Sequence, residues 1–204
     1  MSFNVSPLVL EGPGVRLEPL QPDHAEALYA IGQEAEDWLY MPRGELSSLT
    51  DTHNWIAEAQ RSAEQGESIG FAIRDLDSGK LAGSTRYLGI RPPHYSVEIG
   101  YTWLGRDFQR SHINTSAKLC LLEHAFDTLG AVRVELKCDS RNQRSQQAIA
   151  RLGATREGLF RKHMFVRDHY LRDTVYFSII AEEWPAIRER LQQTTGRYET
   201  YRTL

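Results

Sequence analysis

Between Val97 and Gly158, strand and helix signals alternate in an order that few topologies accommodate. Val97-Glu98-Ile99-Gly100-Tyr101-Thr102-Trp103-Leu104 reads as a strand. The polar stretch Gln109-Arg110-Ser111-His112-Ile113-Asn114 follows it. Ala117, Leu121, Leu122, Ala125, Phe126 and Leu129 then recur at helical spacing, which predicts a helix over about Thr115 to Leu129, stopped by Gly130. Val132, Val134, Leu136 and Cys138 alternate with charges and predict a second strand, half covered on one face. A helical crossover of this kind makes its two strands parallel neighbours. The helix then starts at the carboxyl end of a strand, where ligands bind in open α/β sheets. Its first amides lack helical acceptors and carry partial positive charge, so the loop ahead of it suits a pyrophosphate. An ordinary cap, with Asn114 or Thr115 as the capping residue, explains the same pattern, and the loop alone does not separate the two.

Elsewhere the pattern predicts strands at Val15–Leu20, Ile69–Arg74, Lys80–Leu88 and Arg172–Ala181, with turn residues Asp75–Gly79 joining a hairpin. Helices are expected over Thr52–Gln65, around Ala148, Ile149 and Leu152, and over Glu182–Gln192. Gly100 inside a strand signals a bulge or a close backbone approach. The expectation is one α/β domain over residues 1–204, with a core of about 15–191 and a loose tail at 196–204. Its central sheet is mixed and mostly antiparallel, has one parallel pair at the ligand site, and is flanked by helices.

Bulk properties narrow the function classes. The 204 residues carry a net charge of −3, without the basic excess of a nucleic-acid binder. No apolar run approaches a membrane span, and the first residues lack the charge and apolar core of a signal peptide. The two cysteines, Cys120 and Cys138, form no metal-binding or disulfide pattern, which favours a reducing, cytoplasmic setting. No zinc motif, P-loop or nucleophile elbow is present, so no metal is expected.

Glu98-Ile99-Gly100-Tyr101, the Gln109–Gly130 loop and helix, Arg133-Val134-Glu135, Asn142-x-x-Ser145, Arg151-Leu152-Gly153-Ala154, Glu157-Gly158 and Arg172-Asp173-Thr174-Val175-Tyr176-Phe177-Ser178 together carry a resemblance. The chain resembles the Gcn5-related N-acetyltransferases (GNAT), in the branch similar to the ribosomal-protein alanine acetyltransferases of the RimJ/RimL kind. The resemblance implies an acyltransferase with acetyl-CoA as co-substrate. Its pyrophosphate would be held by Gln109, Arg110, Ser111, His112, Ile113, Asn114 and Thr115, and its pantetheine arm by Asn142. Backbone groups around Trp103 and Leu104 would stabilise the thioester oxygen. In this family the loop reads Gln/Arg-x-x-Gly-x-Gly/Ala. Here His112 and Asn114 stand where the two glycines are expected, so His112 must swing outward or the phosphate must sit higher. Ser116 stands where glutamate is common.

Direct attack on the thioester requires a neutral amine, so a base must take its proton; Glu98 is the candidate. Many family members supply a tyrosine acid on the helix after Asn142. This chain has none there, and Ser145 is the expected substitute. An α-amine, with pKa ~8, is roughly a tenth neutral at pH 7, whereas a lysine amine at ~10.4 is far less so. That favours a protein or peptide N-terminus, or a small α-amino compound, as acceptor. A polyamine or aminoglycoside stays open. Glu34–Glu45 and Arg161–Arg172 are the segments expected near the acceptor, with Trp38, Tyr40 and Met41 suggesting a partly apolar slot. The runner-up is a catalytically silent CoA-binding sensor or interaction module, and a homodimer docked through the tail is an open arrangement.

Overall fold

The computed structural model describes residues 3–202. Eight strands form one mixed sheet in the order β1-β2-β3-β4-β5-β6-β8-β7. They are β1 (Leu10–Gly12), β2 (Val15–Pro19), β3 (Ile69–Asp75), β4 (Leu81–Arg91), β5 (Ser96–Leu104), β6 (Arg133–Asp139), β7 (Thr155–Phe165) and β8 (Leu171–Ile180). Every neighbouring pair is antiparallel except β5–β6. Five helices flank the sheet: α1 (Ala25–Ile31), α2 (Leu49–Glu64), α3 (Ile113–Glu123), α4 (Gln143–Leu152) and α5 (Trp184–Arg202). The expected single α/β domain with one parallel strand pair is the observed architecture.

Alternation along the strands sends successive side chains to opposite faces. Ile69, Phe71 and Ile73 of β3 join the larger core with Leu119, Leu121 and Leu122 of α3 and Ile187 and Leu191 of α5. Ala72, between them, joins the second core with Leu28 of α1 and Trp55, Ile56 and Ala59 of α2. One face of the sheet is thus covered by α3 and α5, and the other by α1 and α2. In β5, Val97 and Ile99 belong to the α3 side, so Glu98 points to the opposite face.

Besides the short strand β1, which no sequence pattern marks, three elements depart from the sequence reading. Helix α3 starts at Ile113, two residues earlier than expected, and passes into a π-helical turn over His124–Thr128. Its cap is His112, in αR conformation and without a side-chain capping bond, rather than Asn114 or Thr115. Strand β7 was not read from the sequence. It is an edge strand, most of its residues are exposed, and two register shifts break its pairing with β8, so no alternating pattern marks it. Helix α5 continues to Arg202, through the segment expected as a loose tail, because a lone Gly196 costs only about 1 kcal/mol in a helix. The side chains of Tyr198 and Tyr201, on which tail docking rested, lie outside the described residues. No described helix is long and apolar enough to cross a membrane.

Candidate active site

The site follows from where β5 and β6 stop pairing. Their parallel register covers only Ser96↔Arg133, Val97↔Val134 and Glu98↔Glu135, although β5 runs on to Leu104 and β6 to Asp139. Beyond Glu98 the two strands part and leave facing edges without a strand partner. A cavity of about 630 Å³ fills the gap. On its other side β5 bulges against β4: the register slips between Ser84↔Trp103 and Arg86↔Gly100. The expected distortion is there, but the left-handed residue is Tyr101 (φ 48°) rather than Gly100. At Gly100 the space is close instead, since a Cβ there would lie 2.8 Å from Leu88 Cδ1 and 3.0 Å from Glu98 Oε1 and would press on both side-chain ends.

At one end of the cavity stand Gln109, Arg110, Ser111, Asn114 and Thr115. Gln109 donates through Nε2 to the Leu104 carbonyl (2.9 Å) and accepts from Arg144 Nη1 (3.0 Å), which ties the loop to β5 and α4. Ser111 Oγ accepts from the Ile113 amide (3.3 Å), and the Ser116 amide reaches the His112 carbonyl (2.9 Å). Among the described residues, the amides of Asn114 and Thr115 meet no protein acceptor, so they remain available to an anion. His112 turns away from the cavity. Its Nε2 lies where a Cβ on Gly14 would come within 2.6 Å, and its ring nitrogen is within 4.8 Å of the Asp75 and Asp77 carboxylates. Its φ of −67° suits any L-residue, so no glycine is needed at this position. The loop's left-handed residue is Arg110, with φ 58°. The Ile113 side chain is buried in the larger core, and neither His112 nor Ile113, both expected among the pyrophosphate residues, lines the cavity.

At the other end Glu98 is 6% exposed, and its Oε2 pairs with Lys137 Nζ at 2.9 Å. Lys137 is pulled down by desolvation, but Glu98 outweighs that and leaves its pKa raised. A ladder of charges continues across this face of the sheet: Arg91–Glu135, Arg133–Glu135 and the bidentate Arg133–Glu157, with Ser178 Oγ donating to Glu157. The Arg133 hydrogen bonds hold the Glu157 carboxyl down at about 2. Tyr40, Met41, Met164, Arg172 and Tyr176 complete the mouth. Arg141 stacks 3.7 Å from the Tyr170 ring and 5.4 Å from Tyr40, so it joins the two segments expected near the acceptor. Trp38, by contrast, is core: it packs 4.9 Å from Trp103 and donates Nε1 to the Gly32 carbonyl. Glu34, Glu36 and Asp37 converge on Arg106 and are matched within the chain.

A profile for the acetyltransferase (GNAT) domain matches residues 15–155. The chain belongs to the GNAT acetyltransferase family. It is similar to a GCN5-related N-acetyltransferase of Brucella melitensis, with 31% identity over 94% of this chain and 87% of that one and a TM-score of 0.89. YdaF of Bacillus subtilis (strain 168), provisionally named a ribosomal N-acetyltransferase, is 26% identical over 83% of this chain and 93% of that protein. Mycobacterium smegmatis RimJ, solved in complex with CoA-disulfide, shares the fold: TM-score 0.78 and 23% identity over 95% of this chain and 96% of that one.

In this GNAT acyltransferase, Glu98, Trp103, Leu104, Gln109, Arg110, Ser111, Asn114, Thr115, Asn142 and Ser145 all border one cavity. Asn142 Oδ1 accepts from the Ser145 amide (2.9 Å) and caps α4, leaving its amide N–H groups for another partner. The sequence reading missed Lys137, the ion-pair partner of Glu98 from the neighbouring strand, because nothing local marks it. It also missed Lys118. That residue lies four after Asn114 and three after Thr115, on the helix stripe that faces the cavity. Only 5% exposed, Lys118 donates through Nζ to Thr102 Oγ1 and to Thr85 Oγ1 (3.3 Å), and the two threonine hydroxyls lie 2.8 Å apart.

Proposed function

We propose that this enzyme transfers the acetyl group of acetyl-CoA to an α-amine, at a protein or peptide N-terminus or on a small amino compound. The observation that carries the reading is the gap beyond the Glu98↔Glu135 pair. It joins unengaged helix amides at one end to a buried carboxylate at the other. The two ends match the two halves of the reaction: a phosphate-bearing carrier and an amine that must lose a proton.

Gln109, Arg110, Ser111, Asn114 and Thr115 hold the pyrophosphate. The outward turn of His112 keeps that surface open despite the missing glycine. Asn142 directs its free amide at the pantetheine arm. Main-chain groups near Trp103 and Leu104, on the unpaired edge of β5, stabilise the charge that develops on the thioester oxygen. Glu98 takes the amine proton, directly or through water, and Lys137 keeps that carboxylate in place. Ser145 orients the sulfur by hydrogen bonding.

The name of YdaF, provisionally a ribosomal N-acetyltransferase, supports a protein acceptor, and the CoA-disulfide in the RimJ structure fits a CoA carrier. Membership of an acetyltransferase family favours turnover over a silent sensor. Two free, buried cysteines fit a reducing cytoplasmic compartment. Calorimetry with acetyl-CoA, followed by thiol release with a panel of amines, tests the reading. Binding and faster turnover of peptides with a free N-terminus than of N-blocked, lysine-bearing peptides are expected. No heat with acetyl-CoA, or a preference for the lysine amine, overturns it.

A further inference from the structure

Lys118 is a buried amine in the cavity wall for which the family reading has no use. Among the described residues no carboxylate lies within 4 Å of it, although fourteen arginine– or lysine–carboxylate pairs lie within that distance. The ionisable side chains on the strands packed against it are occupied elsewhere. On β4, the Arg86 guanidinium sits over the Trp55 and Tyr101 rings, Tyr87 donates to the Leu121 carbonyl, and Arg91 pairs with Glu135. On β5, Glu98 pairs with Lys137. On α3 itself, the Cys120 thiol is buried and Glu123 accepts from Gln192. A buried cation without a counter-ion is costly, and such groups mark sites where charge is placed for a purpose.

Its position supplies the purpose. In a β-α-β crossover the helix runs back along its strand, so Lys118 lies about one turn, ~6 Å, from the free amides towards Glu98. The bulge at Tyr101 reverses the alternation of β5. Thr102 therefore reaches α3, while Trp103 packs into the core of α1 and α2. Glu98 points to the other face. Base and lysine thus stand on opposite sides of the parted strands, with the cavity between them. An ammonium has three N–H donors, and the two threonine hydroxyls occupy two.

Building on the acetyl-CoA reading, we propose that Lys118 is a catalytic residue that gives its ammonium proton to the departing sulfur. The amine nitrogen bonds to the carbonyl carbon and loses a proton to Glu98. The carbon–sulfur bond breaks with its electron pair on sulfur, and Lys118 protonates that sulfur to the thiol. Solvent then returns a proton to Lys118 and takes one from Glu98. Burial lowers the Lys118 pKa to about 7, below the ~8.5 of a free thiol, so the transfer runs downhill. Ser145 can orient the sulfur, but a serine hydroxyl is too weak an acid to release its proton at neutral pH.

The test compares the pH profile of kcat, together with CoA affinity by calorimetry, in wild type and Lys118→Met. Wild-type kcat is expected to fall as pH rises and Lys118 loses its proton, a fall the variant lacks, and the variant to lose about 100-fold in kcat at neutral pH while CoA affinity stays within about threefold. Lys118→Arg, charged but unable to release a proton, behaves as Lys118→Met. If Lys118→Met does not fold, Lys118→Gln takes its place. An unchanged pH profile, or a kcat within about threefold of wild type, removes Lys118 from the reaction. Failure of the wild type itself to bind CoA sinks the acetyl-CoA reading instead.

Discussion

Glu98 and Lys118 are both almost fully buried, and both border the same cavity, yet the chain treats them differently. Glu98 faces Lys137 at 2.9 Å on the neighbouring strand. Lys118 meets two neutral hydroxyls. A buried charge with a partner has its desolvation cost offset by that partner. An unpaired one is pushed towards neutrality until something in the cavity meets it. One cavity therefore holds an ion-paired carboxylate on one face of the sheet and an amine without a counter-ion on the other, as a transfer that removes a proton at one point and supplies it at another requires.

The contrast can be broken most directly at Glu98. Glu98→Gln is expected to lower kcat about 100- to 1000-fold with little change in CoA affinity, read by steady-state thiol release and calorimetry. A loss below about tenfold ends its role as base. Next in size are two stability changes of opposite sign. The Lys118 pKa is depressed in the folded chain, from 10.5 to about 7, so the unfolded chain binds the extra proton between those values and stability rises with pH across that window. The full penalty is present below pH 7. Lys118→Met should therefore stabilise the fold by about 2–4 kcal/mol at pH 6, and the gain should vanish as pH approaches 10.5; urea titrations at several pH values check both statements. Lys137→Met removes the partner of a buried carboxylate and should destabilise by about 1–3 kcal/mol at pH 7, discounted for the partial exposure of Lys137. If both lysine variants shift stability in the same direction, the distinction between the two charges is wrong. The smallest effect belongs to Asn142→Ala, which deletes the α4 cap and should cost about 1 kcal/mol in thermal or urea unfolding.

Much of the fold was readable because strand alternation and helical spacing are properties of neighbouring residues. The β5–α3–β6 crossover, the bulge near Gly100 and the polar loop before α3 all follow from local pattern. Strand β7 did not, since an exposed, twice-bulged edge strand has no buried face to mark it. The loop substitution shows the same divide. Replacing glycine by His112 looks damaging in sequence. Only the folded backbone reveals that φ there is ordinary and that the imidazole is turned towards Gly14 and out of the cavity. Trp38 looked like a slot residue because an aromatic suits a binding site and a core equally well; packing against Trp103 decided for the core.

The sequence by itself determined the order of strands and helices, the place where a helix opens onto a loop, and the presence of a carboxylate on the strand before it. Tertiary structure alone decided that β5 and β6 part after Glu98, that Lys137 meets the carboxylate, and that Lys118 reaches Thr85 and Thr102 without a counter-ion. The reason is range. Periodicity and capping act over a few residues, whereas the charge state of a buried group depends on whichever distant segments the sheet brings beside it.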